Sequence, residues 1–133
     1  WHVMEHLEHL DETWECLRGL LSDRGVLIVA VPNCSSYDAG KYGEYWAAYD
    51  VPRHLWHFTP VTIQQLASKH GFIMAARHPM PFDAFYVSML SEKHRGSSFP
   101  FVKGMCTGVV AWLSALGKKE RSSSMIYVFR KKR

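Results

Sequence analysis

The pattern of apolar and polar positions is clearest between residues 26 and 31. Six apolar residues, Val26–Val31, run without a polar break between a turn that ends at Gly25 and the stop at Pro32-Asn33. A strand with one face in water would alternate apolar and polar side chains, so this run predicts a strand covered on both faces. Such strands are typical of the centre of a parallel α/β sheet, which binds ligands beyond its carboxyl ends. We therefore expect the chemistry just past this strand, at Pro32 and Asn33.

Cap residues and helical periodicity place the other elements around this strand. Asp11 stands where an N-cap would, and Thr59-Pro60 has the form of an N-cap followed by the first helical residue. The first of these helices supplies the crossover that a parallel neighbour of the strand needs. The result is an α/β layout with few strands. The other predicted elements are helices at Asp11–Leu21, Pro60–His70, Asp83–Lys93 and Pro100–Leu116, a closing Gly71, and strands at Phe72–Arg77 and Ser124–Arg130.

The connection from Cys34 to Phe58 is long for a compact domain and rich in tyrosine and tryptophan. Gly40, Gly43 and Pro52 argue against one continuous helix. A connection of this length is usually functional or contains short helices of its own. Its aromatic side chains suit the stacking of a flat or lipophilic ligand, although packing within the connection is the plainer explanation.

The composition is that of a folded domain. Of 133 residues, 47% are hydrophobic and 14% aromatic, which excludes a disordered chain and suits one domain or a piece of one. The formal net charge is +4, and much of the excess lies in the tail Arg130–Arg133. We interpret this tail as a solvated terminus and expect no nucleic-acid partner. Cys16, Cys34 and Cys106 form no CxxC pair and predict free thiols in a cytoplasmic protein.

One hydrophobic segment leaves two interpretations open. Phe99–Leu116 has 18 residues and a single charge, Lys103, which is near the minimum length for crossing a bilayer. Proline, glycine, threonine and serine dilute the segment, so a buried or lid helix is the first interpretation. Peripheral membrane contact through residues 99–116 is the second.

Four short motifs occur in a characteristic order over residues 1–77. They are His2-Val-Met-Glu5-His6, the strand Gly25–Asn33, the segment Asp50–Pro60 with Arg53, His54 and His57, and Ile63 and Leu66 followed by Gly71-Phe72. Together they resemble the second half of class I S-adenosylmethionine-dependent methyltransferases, in particular the branch of the ubiquinone-biosynthesis O-methyltransferases. Each motif alone is weak, but their order and spacing are specific.

The resemblance implies a Rossmann-like sheet and assigns its strands. Trp1–Val3 would end strand four, Val26–Val31 would be strand five, Phe72–Arg77 strand six and Ser124–Arg130 strand seven. In this family strand seven lies antiparallel between strands five and six, which implies the order 4-5-7-6. Residues 1–78 would form core helices and strands, residues 79–123 a helical insertion or lid, and residues 124–133 the last strand and basic tail.

The family's glycine-rich loop after strand one and its acidic residue after strand two have no counterpart here. Both belong to the first half of such a sheet and hold the nucleoside. We therefore expect the sequence, which starts at Trp1, to be a C-terminal half preceded by about 100 residues. It would then hold at most half of a site for S-adenosylmethionine, be inactive alone, and expose a sheet edge that favours self-association.

The resemblance also implies roles for nine residues. His6, His54 and His57 are candidate catalytic residues, because an imidazole can take a proton from an acceptor near neutral pH. Trp1, His2 and Glu5 are candidates for binding the cofactor, and Asn33, Trp46 and Arg53 for binding a small or lipid-like methyl acceptor. Plainer alternatives are that Glu5 and His6 only hydrogen-bond across a helix start, or that Asp50 pairs with Arg53 and pins the loop. The resemblance implies no metal site.

Other functions fit parts of the sequence. His2-Val-Met-Glu5-His6 matches the HxxEH motif of inverted zincins, in which two histidines on one helix face bind zinc. No second motif supplies a third ligand, so a zinc metallopeptidase is the weaker alternative. The aromatic and basic residues form no single stripe of the kind that binds single-stranded nucleic acid. A catalytically idle Rossmann-like binding module is the alternative of a different class.

Overall fold

The computed structural model describes residues 1–133 and contains a three-stranded sheet with five α-helices. The strands are β1 (Leu27–Pro32), β2 (Phe72–Met80) and β3 (Ser124–Lys131), in the spatial order β1-β3-β2. β3 lies between the other two strands and is antiparallel to both. The helices are α1 (Leu10–Leu20), α2 (Tyr37–Tyr42), α3 (Pro60–Lys69), α4 (Asp83–His94) and α5 (Pro100–Gly117), with 3-10 turns at Met4–His6, Gly43–Tyr45, Ala47–Tyr49 and Lys119–Arg121.

The α/β class and the helices and strands predicted beyond residue 10 are confirmed within a few residues. Thr59 caps α3, because its hydroxyl accepts a hydrogen bond of 3.1 Å from the Thr62 N–H. Gly71 follows that helix with φ +76°, a conformation that glycine adopts without strain. The predicted N-cap of α1 is wrong: the helix begins behind His9, and Asp11 lies in its first turn. A carboxylate there still complements the helix dipole, so Asp11 marks the start without capping it.

β1 has no parallel partner strand among residues 1–133, so its place at the centre of a parallel sheet stays a prediction. Its paired edge faces β3, with Val29 opposite Tyr127. Trp1–Val3 forms no strand, and the His2 N–H donates a single hydrogen bond of 2.8 Å to the Ala30 carbonyl. One bond does not make a strand pair, so the second edge of β1 is largely open. The order 4-5-7-6 stays a prediction.

The main core lies on one face of the sheet. Val29 and Tyr127 of the sheet meet Trp14 of α1 and Ile63 of α3, and all four side chains are at most 5% exposed. On the opposite face Ile28 and Ile73 are each 50% exposed. The prediction of a strand covered on both faces therefore holds for residues 29–31 and fails at residues 26 and 28.

Helices α4 and α5 form an antiparallel hairpin with very close backbones. Gly104 of α5 faces Met89 of α4, and a Cβ added at Gly104 would lie 2.4 Å from the Met89 Cα atom. Gly108 stands in the same relation to Phe85. Residues without a side chain let two helices approach this closely. The two helices are therefore closely packed at Gly104 and Gly108.

The hairpin packs against the long connection between β1 and α3. That connection contains α2 and two 3-10 turns, as the sequence predicted, and its aromatic residues form a second small core with Ala39, Tyr42 and Trp46. The Tyr42 hydroxyl donates a hydrogen bond of 3.1 Å to Glu92 of α4. The plainer explanation of these aromatic residues, packing within the connection, is confirmed for Tyr42 and Trp46.

α5 is the helix that is long and apolar enough to cross a bilayer by length and composition, and 28% of it is buried inside the protein. Its buried residues are small, namely Gly104, Thr107, Gly108, Ala111 and Ala115. Large apolar side chains such as Phe101 and Leu113 are more than half exposed. The helix thus has a packed side and an apolar side in solvent.

Candidate functional site

Two loops meet beyond the carboxyl end of β1. The Cys34 N–H donates to the Phe58 carbonyl at 2.9 Å, which brings the end of the long connection alongside the strand. The N–H groups of Leu55 and Trp56 donate to the Glu5 carbonyl at 2.8 and 3.2 Å. These bonds hold the loop of residues 50–57 over the turn at residues 4–6.

Glu5, His6 and His54 form a compact cluster at this junction, with a carboxylate oxygen and two imidazole nitrogens within 4.8 Å of one another. The two imidazole rings meet edge to face at 4.6 Å. Nδ1 of His6 lies 3.0 Å from the Arg53 carbonyl oxygen, and Nδ1 of His54 lies 2.8 Å from that of Ala48. Because a carbonyl oxygen only accepts, each Nδ1 carries a proton, which leaves Nε2 as the ring nitrogen that can accept a proton or bind a cation.

Glu5 is only 1% exposed, and neither of its carboxylate oxygens has a hydrogen-bond partner. Burial raises the pKa of Glu5, but His2, whose Nδ1 lies 3.4 Å from Oε1, acts together with the backbone N–H of Glu5 and with His54 to hold the pKa below its ordinary value. The separation from His2 is that of an ion pair without hydrogen-bond geometry. Glu5 is therefore a buried, ionised carboxylate with unused acceptor capacity.

His2 lies between two carboxylates. Its Nε2 is 3.5 Å from Asp83 at the start of α4, and its Nδ1 faces Glu5. These contacts, that with Asp83 first, raise the pKa of His2 from 6.5 to about 9. His2 is therefore protonated at neutral pH and ties the turn at residues 4–6 to α4.

Asp50 and Arg53 form an ion pair within the loop. Nε and Nη2 of Arg53 donate to the same oxygen of Asp50, at 3.1 and 2.5 Å. The pairing of Asp50 with Arg53, one of the plainer alternatives, is therefore confirmed. The Arg53 side chain is 77% exposed, so its outer part also faces solvent.

A cavity of about 540 Å³ opens beside the cluster. Its polar wall carries His2, Asp50, Arg53, His54 and Asp83. A volume of this size, with convergent polar groups on one side, is typical of small-molecule sites.

The facing wall of the cavity comes from α4. It carries Tyr86, Val87, Leu90 and His94. Sequence reasoning assigned this helix to a cover and named none of its residues. The available signal was spacing, because positions three and four apart share one face of a helix.

A larger surface hollow, about 840 Å³, lies at the opposite end of β3. Charged residues such as Arg18, Lys69 and Lys131 line it, and it has no hydrophobic wall. It lacks the apolar lining that small-molecule sites generally have. The smaller cavity is therefore the better candidate for a reaction site.

Two residues that were predicted to bind the substrate are instead buried and hydrogen-bonded to other parts of the protein. Asn33 is 1% exposed, and its amide nitrogen donates to the carbonyls of Glu120 and Ser122 at 2.7 and 2.9 Å. Trp46 is 2% exposed, and its Nε1 donates to Asp38 at 2.8 Å. Neither side chain reaches the cavity.

Two further predicted residues lie on the surface. Trp1 is 63% exposed and lines an apolar groove at the open edge of β1. His57 packs edge-on against Tyr49 at 5.1 Å, and partial burial, followed by the influence of His54, lowers its pKa. Of the nine predicted residues, the structure brings together five, His2, Glu5, His6, Arg53 and His54.

The geometry contradicts the helix that the zincin motif requires. Residues Met4–His6 form a three-residue 3-10 turn, and His2 has a left-handed φ of +49°. His2 turns toward Asp83, whereas His6 meets His54. The two histidines of the motif therefore do not share a helix face.

Comparison with protein families assigns most of this region. The family model described as a methyltransferase domain matches residues 1–76, more than half of the 133 residues. The chain belongs to this methyltransferase domain family. The matched part of the methyltransferase includes Glu5, His6 and His54, whereas α4, α5 and β3 lie outside it. Comparison with curated proteins gives no match.

The residues predicted to bind the methyltransferase's cofactor do not form one site. Trp1 lines the apolar groove, His2 is held between two carboxylates, and Glu5 is buried. The sequence has no glycine-rich loop of the kind that approaches a nucleotide closely. These residues do not fit a nucleoside by themselves. No residue of this chain is therefore assigned a role in binding the cofactor.

Proposed function

We propose that this methyltransferase uses S-adenosylmethionine to methylate a hydroxyl or amine of a small or lipid-like acceptor. The family match supports methyl transfer. The motif of Asp50, Arg53 and His54 supports a place near the ubiquinone-biosynthesis branch. The observation that carries the proposal is that His54 lines the cavity while its Nδ1 is bound to the Ala48 carbonyl, so that Nε2 is the ring nitrogen left for an acceptor.

His54 is the group best placed to take a proton from the acceptor. Its Nδ1–H is bound to the Ala48 carbonyl, which fixes the ring and leaves Nε2 as the basic atom. Carboxylate oxygens of Asp50 and Glu5 lie 3.8 and 4.0 Å from Nε2 and stabilise the imidazolium that forms. In this step the acceptor's O–H or N–H proton moves to Nε2, and the electron pair of that bond stays on the acceptor atom. His6 packs edge-on and holds the ring orientation.

The two cavity walls select an acceptor that is apolar on one side and polar on the other. Tyr86, Val87 and Leu90 suit a flat or aliphatic body, while the exposed guanidinium of Arg53 suits an anionic substituent at the mouth. Asn33, Trp46, Trp1 and His57 receive no role in acceptor binding, because none of them lines the cavity.

The exposed side of α5 supports peripheral membrane contact, through which a lipid-like acceptor would reach the cavity. Phe99, Phe101 and Leu116 are each at least 63% exposed, and Lys103 and Lys118 supply positive charge beside them. Sedimentation with anionic vesicles tests this contact. Leu113→Glu, on the exposed side of α5, should release the protein, whereas Val61→Glu, at an equally exposed position of α3, should not. Equal release by both variants would count against the contact.

We also propose that the sheet continues in the order 4-5-7-6 and that the glycine-rich loop comes from residues preceding this sequence. The open edge of β1 and the half-exposed Ile28 and Ile73 support a further layer of structure there. The same surfaces would make the chain alone self-associate. Three free cysteines agree with a cytoplasmic protein. A reading frame that starts at Trp1 would overturn the proposal that the glycine-rich loop comes from preceding residues.

The test of function compares wild type, His54→Ala and His78→Ala in the complete protein. His54→Ala should lower turnover by about 10²- to 10⁴-fold, the usual contribution of a general base, with little change in S-adenosylhomocysteine affinity measured by calorimetry. His78 is an exposed residue of β2, and its replacement should change neither quantity. Equal loss of turnover and affinity would contradict an acceptor-side role. Absence of both in the wild type would indicate the idle binding module.

A further inference from the structure

The cluster of Glu5, His6 and His54 has features that base catalysis does not require. A single imidazole is enough to take a proton, yet here two imidazole rings converge on a buried carboxylate. We infer that Glu5, His6 and His54 bind one divalent transition-metal ion, with zinc as the best-matched metal. Two histidines and one glutamate form a recognised ligand set for zinc with an open coordination position.

Both imidazole rings are prepared as metal ligands. A metal-binding histidine generally donates its second ring N–H to a carbonyl or carboxylate, which fixes the tautomer and the orientation of the ring. His6 and His54 both do this, through hydrogen bonds of 3.0 and 2.8 Å to backbone carbonyls. Nε2 is therefore the nitrogen that each ring offers to a cation.

The carboxylate of Glu5 has a charged neighbour, His2 at 3.4 Å, but no hydrogen-bond donor. Its side chain is 1% exposed, and both oxygens are without a hydrogen bond. A buried carboxylate left in this state is costly, whereas coordination to a cation would satisfy it. A buried carboxylate with two oxygens free of hydrogen bonds is the observation that distinguishes the cluster from two histidines that merely stack.

Backbone hydrogen bonds hold the three ligands in place from two separate segments. The Glu5 carbonyl accepts from Leu55 and Trp56, which ties the turn that carries Glu5 and His6 to the loop that carries His54. Ligand atoms around a tetrahedral zinc ion lie about 3.4 Å apart, given bonds of about 2.0–2.1 Å. The ligand atoms of the cluster lie within 4.8 Å of one another, so binding of zinc requires them to approach by no more than about 1.4 Å. His6 is exposed, so an ion has a path to the cluster.

Two charged neighbours already have partners. Asp50 lies 3.8 Å from Nε2 of His54 but is paired with Arg53. His2 lies 3.4 Å from Glu5 and 3.5 Å from Asp83. A bound ion would use the same lone pair of His54 as a transferred proton, so metal binding and the base role exclude each other at any one moment. Metal binding is therefore measured without cofactor or acceptor, and its outcome is separate from that of the proposed function.

The test is calorimetric titration of zinc into the chelator-treated protein. The wild type should bind one ion per chain, and Glu5→Gln and His54→Ala should each weaken binding by at least about tenfold. His78→Ala removes a histidine outside the cluster and should leave the affinity unchanged. Cobalt(II) in place of zinc should give visible absorption bands of a low-coordinate site in the wild type and lose them in Glu5→Gln.

Circular dichroism shows whether each variant is folded, so that loss of a ligand can be distinguished from unfolding. Glu5→Gln preserves the shape of the side chain and removes its charge. If a variant unfolds, the cobalt spectrum of the folded wild type and its displacement by zinc still test the site. A second outcome is weak binding of several ions, reduced equally by His78→Ala and His54→Ala. This outcome would show an adventitious ion only and would overturn the inference. Binding of one ion per chain that persists in both Glu5→Gln and His54→Ala would overturn the inference as well.

Discussion

The side-chain amide of Asn33 donates a hydrogen bond of 2.9 Å to the backbone carbonyl of Ser122, 89 positions later in the chain. A second bond of 2.7 Å reaches the Glu120 carbonyl, and the Asn33 oxygen accepts two bonds from Ser35. One buried side chain thus joins the end of β1 to the segment that enters β3. This relationship explains why the residue after the apolar strand is an asparagine.

Asn33→Ala should destabilise the protein by about 2–4 kcal/mol, because it leaves buried carbonyl groups without donors. Ser35→Ala removes one of the four bonds from an exposed hydroxyl and should cost no more than about 1 kcal/mol. Chemical denaturation of both variants measures the difference. A rise in the acceptor KM without loss of stability in Asn33→Ala would instead support the substrate role predicted from the sequence.

Trp46→Phe should cost about 1.5–3 kcal/mol, because it removes the indole N–H that donates to the buried carboxylate of Asp38. Trp56 offers a matched control. Its N–H donates to the neutral carbonyl of Leu7 at 2.7 Å at an exposed position, so Trp56→Phe should cost about 1 kcal/mol or less. Thermal unfolding compares the two variants. Equal shifts in Tm would show that the contact with Asp38 has no special strength.

Gly104→Ala and Gly19→Ala should change stability in opposite directions. The added methyl at Gly104 meets the backbone of Met89 and should cost about 1–3 kcal/mol by forcing α4 and α5 apart. Nothing lies within 4 Å of a Cβ at Gly19 in α1, so alanine there should gain about 0.5–1 kcal/mol of helix stability. Two shifts in Tm of the same sign would contradict the close approach of the hairpin.

The stability contributed by Asp11 should disappear in acid. Hydrogen bonds from Lys69 first, and then from His70, hold the pKa of Asp11 below its ordinary value. A carboxyl group whose pKa is lowered in the folded state stabilises the protein above about pH 4, and the effect is lost as pH falls through the lowered pKa. Wild type should therefore exceed Asp11→Asn in stability at pH 7, with the difference shrinking below pH 4.

Denaturation midpoints at several pH values check this prediction for Asp11. Asp23→Asn is the control, because Asp23 is exposed and its nearest recorded cation, Lys131, is 4.0 Å away. Surface pairs of that kind contribute little. A difference between wild type and Asp11→Asn that stays constant from pH 7 to pH 3 would rule out an ionic contribution of Asp11.

The helices and strands could be predicted because their signals are local. Thr59-Pro60 sets the start of α3 through a cap and a fixed φ, and alternation with β-branched residues marks β3. The run Val26–Val31 predicted the strand correctly but overestimated how completely its two faces are buried. A hydrophobic run reports that a strand is apolar on both sides, whereas burial depends on which helices the chain supplies, and Ile28 remains half exposed.

The candidate site could be predicted only in part, because side-chain partners are set by long-range packing. The pairing of Asp50 with Arg53 lies within one loop and was open to sequence reasoning. Asn33 and Trp46 looked available for a ligand, but the fold gives each a partner that no short-range rule identifies. The contribution of α4 was missed for the same reason, since no local pattern shows that a helix will face His54.

The cavity has one wall from the loops around β1 and another from a helical hairpin, which polar contacts such as Tyr42 with Glu92 and His2 with Asp83 join to those loops. The hairpin's own fit depends on Gly104 and Gly108, and neither residue lines the cavity. Tyr86 of α4 is 62% exposed, whereas Val87 also packs against the small core of Ala39, Tyr42 and Trp46. Protein engineering for a different acceptor should therefore vary positions 86 and 90 and retain Val87, Asp83 and the imidazole groups opposite.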